Sequence, residues 1–243
     1  MHTRRLQAAS QTTSAMPHDP ATTISDASPS REQLEQYLAQ AVRHFSNCDF
    51  SGADLSRLDL QSCTFERCVF SEAVLYACKL SHSKWLRCRA GEADFEAADL
   101  VDAQFQGCDL NNTKWRRAKL ASASFRGCKL TGASFEEVSH LGAAFEDCLL
   151  VGADLRGFSF RKAELKNLDF SDADLSGCDF RDAVFEGGSL RDAILKLAKF
   201  DNADLRSAEI GGMKLNDTRM FRGAVISHAQ AASVLREMGL VVM

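Results

Sequence analysis

The chain has 243 residues, of which 45% are hydrophobic and 26% charged, and its formal net charge is -4. These proportions are ordinary for a globular protein, and a net negative charge disfavours bulk attraction to nucleic acid. No apolar run approaches the roughly 18 to 20 residues needed to span a bilayer, and the opening MHTRRLQAASQTTSAMPHDP lacks the apolar core of a secretory signal.

Residues 1–29 hold all three prolines, Pro17, Pro20 and Pro29, in a stretch rich in Ser, Thr and Ala. That composition buries too little apolar surface to order itself, so a disordered leader is expected. Two readings stand side by side: a flexible leader, even an export signal, or an upstream extension of a chain that starts at Met16. Residues 30–44 read as a helix. Ser30 with Gln33 has the capping-box pattern, and Leu34, Tyr37, Leu38, Ala41 and Val42 make one apolar stripe at helical spacing.

From residue 45 to 222 a different period takes over. Every fifth residue from Phe45 to Met220 is large and apolar, and only Ala90 and His140 break the type. Two residues before each stands a mostly small one, as in Cys48, Ala53, Cys63, Cys68, Ala73 and Cys78. A period of five fits neither helix nor strand and signals a repeat architecture. The segment has no proline, as a hydrogen-bonded ladder requires. Glycine recurs two residues after the large position, for example at Gly52, Gly107, Gly127 and Gly152, where a corner needs positive φ.

All nine cysteines occupy the small position, and six of them (Cys48, Cys68, Cys88, Cys108, Cys128, Cys148) are spaced by twenty. Metal sites use short mixed spacings with His, which are missing from this pattern. Small buried hydrophobes are the better reading, and free thiols imply a reducing compartment, the cytoplasm. No HExxH, GxSxG or phosphate-binding glycine loop occurs. No catalytic residue, cofactor or metal is therefore expected.

Residues 223–243 close the chain. Ser227 and Gln230 form a second capping box at the start of a helix over 227–238, and Gly239 supplies the stop. The tail from Leu240 to Met243 resembles a short strand. Val234, Leu235, Met238, Leu240, Val241 and Val242 are more apolar surface than one cap needs, which points to a homodimer joined through this end.

The motif A-D/N-L-x-x, as in Ala53-Asp54-Leu55, Ala98-Asp99-Leu100, Ala153-Asp154-Leu155, Ala173-Asp174-Leu175 and Ala203-Asp204-Leu205, resembles the pentapeptide-repeat family. That resemblance implies an all-β fold, a right-handed quadrilateral β-helix of about nine coils, with an N-terminal capping helix and a C-terminal helix. It also implies that the six cysteines form one stacked column and that Phe45, Phe65, Trp85, Phe105, Phe125 and Phe145 form an aromatic ladder. The ending AQAASVLREMGLVVM is similar to the ends of Qnr-type quinolone-resistance proteins and of the self-immunity proteins of microcin B17 and albicidin producers. Those proteins bind DNA gyrase and related type II topoisomerases as two-fold dimers, with a rod-like, acidic shape like B-form DNA. Unlike the Qnr type, this repeat carries no inserted loop, and it is closer in that respect to the loop-free mycobacterial member.

Sorting outward charges by residue number modulo twenty places Asp54, Glu72, Glu92, Asp94, Asp154, Asp172, Asp174 and Asp192 on one face. Only Lys114, Arg191 and Lys214 oppose them there, whereas Arg116, Arg117 and Lys119 cluster on the fourth face. The acidic face is the expected surface for a type II topoisomerase. B-DNA carries about one charge per 1.7 Å of axis, so the mimicry is partial. A different reading of the same rod is a secreted effector or targeting scaffold that uses the leader for export. His140 interrupts the inward series, and the local sequence suggests a bulge in which Leu141 fills the core and His140 turns out.

Overall fold

The computed structural model describes residues 23–212 and 218–242. The chain winds into a parallel β-solenoid of about eight turns with two short helices. One side of each turn is a three-residue strand: β1 Thr23–Ser25, β2 His44–Ser46, β3 Thr64–Glu66, β4 Lys84–Leu86, β5 Gln104–Gln106, β6 Ser124–Arg126, β7 Ala144–Glu146, β8 Glu164–Lys166 and β9 Val184–Glu186. These strands stack in chain order as one parallel sheet. The register places Phe45 opposite Phe65, then Trp85, Phe105, Phe125 and Phe145, each twenty residues from the last. The other three sides are held by single bridges with the same offset, such as Asp49 with Val69, Asp54 with Val74 and Asp59 with Lys79. Four five-residue sides per turn account for the period seen in the sequence.

The chain turns each corner two residues past the large position, with φ of 52° at Asn47, 63° at Gly52, 62° at Arg57 and 57° at Ser62. None of the non-glycine residues described at these corners is β-branched, the class for which the left-handed region is most hindered. The outlay at each corner is about 1 kcal/mol for a residue with a Cβ. Burial of one large apolar side chain per pentapeptide, about 1.5–3 kcal/mol, offsets it.

Inside, identical positions stack on themselves. Phe105 and Phe125 lie parallel with ring centroids 4.9 Å apart, as do Phe125 and Phe145. A second column sets Phe95 on Trp115 at 4.2 Å and Trp115 on Phe135 at 5.7 Å. Both indoles have a polar atom to satisfy. Trp85 Nε1 donates to Ser83 Oγ at 2.9 Å, and Trp115 Nε1 to Thr113 Oγ1 at 2.8 Å, with both hydroxyl residues wholly buried. The nine cysteines are free and buried. The thiols of Cys68, Cys88, Cys108, Cys128 and Cys148 each donate to a carbonyl on the preceding turn, those of Phe45, Phe65, Trp85, Phe105 and Phe125, at 3.3–3.5 Å. Away from that column, burial pushes the Cys63 and Cys178 thiols up to about 12 and Cys78 to about 11.

The two ends differ from the expectation in instructive ways. The leader assigned to residues 1–29 is ordered from residue 23: β1 pairs with β2 through Ile24 and Phe45, and Pro29 is buried. Residues 1–22 lie outside the described set. Helix α1 spans Arg31–Ala39 with the Ser30–Gln33 capping box formed, and it buries Leu34 over the first turn. Arg31 pins it there by donating to the carbonyls of Asp54 and Ser56 at 2.9 Å. At the other end the register slips by one. Phe221, not Met220, stacks on Phe200 at 5.1 Å, and Leu205 N–H bonds the carbonyl of Val225. A 3-10 helix over Thr218–Phe221 carries the residue that stacks in the shifted register. Part of the ninth coil counted from sequence, residues 213–217, is outside the described set.

Helix α2 spans His228–Glu237, again with its capping box, Ser227 with Gln230. The same Gln230 side chain donates to the carbonyls of Leu205 at 2.7 Å and Ala208 at 2.6 Å, so one residue both starts the helix and docks it on the last turn. Residues 240–242 form no strand, contrary to the expectation for the tail.

His140 also corrects the sequence reading. Its ring stays inward, stacked on Phe158 with centroids 4.0 Å apart, and Leu141 is 84% exposed. The cause is Phe158, an aromatic ring at a position that mostly carries Ala or Cys. It takes the space Leu141 was expected to fill.

Candidate protein-interaction face

The third side of the solenoid aligns Asp54, Val74, Asp94, Lys114, Ser134, Asp154, Asp174 and Ile194 as one bridged column. The corner just before it carries Glu72, Glu92, Asp172 and Asp192, all at positive φ between 55° and 61°. The sequence-assigned acids therefore share one face, on turns about 4.8 Å apart. They fall into two groups. Glu72, Glu92 and Asp94 sit on the earlier turns and Asp172, Asp174 and Asp192 on the later ones, with Asn112, Lys114, Gly132, Ser134 and Gly152 between.

Several of these carboxylates are engaged. Asp154 is bound by Arg156, with Nη2 to Oδ2 at 2.6 Å, and the same guanidinium lies 3.9 Å from Asp174. The Arg156 guanidinium beside Asp154 holds that carboxyl below the usual range. Arg31 comes within 3.8 Å of Asp54, whose carboxyl is held low by the hydroxyl and N–H of Ser56. Counting by residue number missed both arginines, because one reaches back from the next side of the rod and the other comes from α1. The basic cluster on the adjoining side is neutralised in the same manner. Arg116 faces Glu96 and Glu136 at 3.7 and 3.8 Å, Arg117 pairs with Glu137 at 2.9 Å, and Lys119 lies 3.8 Å from Asp99. Most of these pairs join residues twenty apart. The exposed edge is an ion-pair ladder between successive turns.

At the C-terminal end, Leu235, Met238, Leu240 and Val241 are exposed on and beyond α2, Met238 by 68% and Val241 by 90%. Val234 does not belong with them, since it is buried against its own last turn, and Val242 is half-buried. Among the described residues, no group of three or more His, Cys, Asp or Glu side chains is placed to hold a metal ion, and no helix is long and apolar enough to cross a membrane.

With this geometry in hand, the family follows from the sequence models. One for a pentapeptide repeat region matches residues 42–115 and 118–193. A second, for eight copies of the pentapeptide repeat, matches 98–136 and 178–217. The chain belongs to the pentapeptide-repeat family. No curated relative matches the sequence. Among solved structures, the rod is similar to a trypsin-treated variant of QnrB1, a plasmid-mediated fluoroquinolone resistance protein, at 26% identity and a TM-score of 0.52, covering 82% of this chain and 87% of that one. Full-length QnrB1 aligns over 90% of this chain and 97% of its own at 22% identity, with a TM-score of 0.54. The likeness of fold extends over most of both chains.

Proposed function

We propose that this pentapeptide-repeat rod is a non-catalytic partner of a type II topoisomerase, DNA gyrase, and protects it from quinolone-like or peptide inhibitors by occupying part of the DNA path. One observation carries the reading: a solenoid similar along almost its entire length to a fluoroquinolone resistance protein gathers five acids that make no ion pair among the described residues, Glu72, Glu92, Asp94, Asp172 and Asp192, on one side. Glu72, Glu92, Asp94, Asp172 and Asp192 form the contact surface, with Asp54, Asp154 and Asp174 partly neutralised by Arg31 and Arg156. Electrostatic complementarity of this kind contributes chiefly to encounter rate and specificity. The apolar end formed by Leu235, Met238, Leu240 and Val241 joins two copies. The nine free, buried thiols support reading it as a protein of a reducing compartment, the cytoplasm.

The test is a supercoiling assay with purified gyrase and a fluoroquinolone. Addition of the full chain at micromolar concentration is expected to restore supercoiling in the presence of drug. Unchanged inhibition across the titration rejects the proposal. Sedimentation is expected to show a dimer that Met238→Glu with Val241→Glu converts to monomer; a wild-type monomer at micromolar concentration rejects the end-to-end contact.

A further inference from the structure

We infer that the rod contains a proton-sensitive joint at His140, where one turn is held to the next by an imidazole in place of backbone hydrogen bonds. On the turns before it the ladder is regular. Arg117, Leu120 and Ser122 donate their N–H groups to the carbonyls of Glu136, Ser139 and Leu141 on the turn above. On the turn after it, Gly157, Phe160 and Lys162 do the same to Ser176, Asp179 and Arg181. Between the two, the equivalent bonds from Glu137, His140 and Gly142 to Arg156, Ser159 and Arg161 are missing among the described residues. The bridges fail together with them. Lys119 pairs with Ser139 and Ser159 with Asp179, but Ser139 does not pair with Ser159, and β7 meets β8 only through Glu146 and Lys166.

The cause is Phe158. Its ring is bulkier than Val138 on the turn before and Cys178 on the turn after, and the turn carrying residues 137–143 stands away on that side. His140 spans the gap. Its Nε2 accepts the N–H of Ser159 at 3.0 Å, and its Nδ1 lies 3.4 Å from the carbonyl of Val138. Those two contacts require the neutral ring with the proton on Nδ1. The flat stack on Phe158 completes the seal.

A second proton turns Nε2 from acceptor into donor, facing the Ser159 N–H, and puts a charge in a half-buried site. No carboxylate is available there to compensate. The charged groups beside it on this side of the neighbouring turns are matched elsewhere: Arg116 with Glu96 and Glu136, Arg117 with Glu137, Lys119 with Asp99, Arg156 with Asp154 and Asp174, and Arg161 with Asp182. Lys162 is exposed at the following corner. Burial accordingly holds the imidazole below its ordinary value, outweighing the Val138 carbonyl. The sign follows: a closed joint with a lowered value is fully stabilised above the ordinary imidazole value and loses that stabilisation as pH falls below it. The other side of the rod remains bonded through Leu149 with Asp169 and Asp154 with Asp174, so opening is a bend, not a break. It lies between the two acidic groups and would alter their relative tilt. The inference rests on the geometry of the turns and not on the identity of any partner.

Hydrogen exchange with mass spectrometry on the full chain, corrected for intrinsic rates, reads the joint directly. With an open-state imidazole near its ordinary value of about 6.5, moving from about pH 7.5 to about pH 5.5 is expected to raise exchange in segments 137–144 and 157–164 by up to about tenfold. Segment 97–104 should not change. His140→Gln keeps a side-chain acceptor that does not titrate, and is expected to remove the pH response while the rod stays folded; His140→Leu should remove it too. An equal response in His140→Gln, a response spread evenly over all turns, or none in the wild type overturns the inference. So does an imidazole that titrates at or above the ordinary value by NMR.

Discussion

Gly188 is the position where the stacking geometry makes its sharpest demand. It follows corner Gly187 and sits at φ +79°, directly over Leu168, the one leucine in a column otherwise filled by cysteines and Ala208. A Cβ built there collides with the carbonyl oxygen of Leu168 and lies 2.8 Å and 2.9 Å from its backbone N and C. These are backbone atoms and cannot swing aside. An alanine at this φ costs about 1 kcal/mol, and displacing one packed turn against another about 1–3 kcal/mol more. Lower entropy of the unfolded chain returns about 0.4–1 kcal/mol. Gly188→Ala is thus expected to lose about 1–3.6 kcal/mol, or roughly 2–14 °C in Tm for a chain of this size. Gly157→Ala is the control, because at φ +75° it meets nothing within 4 Å. Its strain and entropy terms nearly cancel, leaving about 0–0.6 kcal/mol. Thermal unfolding followed by far-UV circular dichroism separates the two. Equal Tm losses in both variants refute the reasoning.

The buried hydroxyls that receive the indoles give a second check: Ser83→Ala and Thr113→Val should each cost about 1–3 kcal/mol by urea unfolding, since each leaves a buried N–H without an acceptor. Phe125→Ala opens the aromatic ladder between two parallel neighbours and should cost about 3–5 kcal/mol, whereas Leu141→Ala, at the exposed joint, should stay within about 0.5 kcal/mol; comparable losses contradict the inward assignment of Phe125. Arg156→Ala releases Asp154 and Asp174, so it is expected to tighten gyrase binding and steepen its salt dependence while changing stability by less than about 1 kcal/mol. Weaker binding by this variant counts against the acidic face as the contact surface.

The architecture was legible because one rule repeats: a large residue every five positions leaves a single way to keep all of them inside. Local breaks of that rule were harder to read. His140 was visible as an exception, but its direction was decided by Phe158, eighteen residues on and one turn away, which a pass along the sequence treats as a separate unit. β1 was hidden by the prolines around it and by a one-residue departure from the twenty-residue offset, which the insertion of α1 between Ile24 and Phe45 permits. The slip at Phe221 escaped for a similar reason, since Met220 satisfies the period equally well. The Ser83–Trp85 and Thr113–Trp115 pairs did have a signal. Each tryptophan is preceded two residues earlier by a hydroxyl where Ala or Cys prevails, and an indole N–H with nowhere else to bond explains it. For the acidic face, numbering located the columns correctly but assigned each charge to the side where its Cα lies. Long arginine side chains such as Arg156 and Arg31 cross those boundaries, so the net charge of a face is a property of reach as well as position.

Competition between this protein and duplex DNA for gyrase tests the functional proposal most directly. Labelled full-length protein bound to gyrase should be displaced by a linear duplex with mutually exclusive stoichiometry, and the triple reversal Glu72→Lys, Glu92→Lys and Asp94→Lys should weaken the protein's binding without altering that of DNA. A ternary complex in which protein and duplex occupy gyrase together, undisturbed by the reversal, would contradict it.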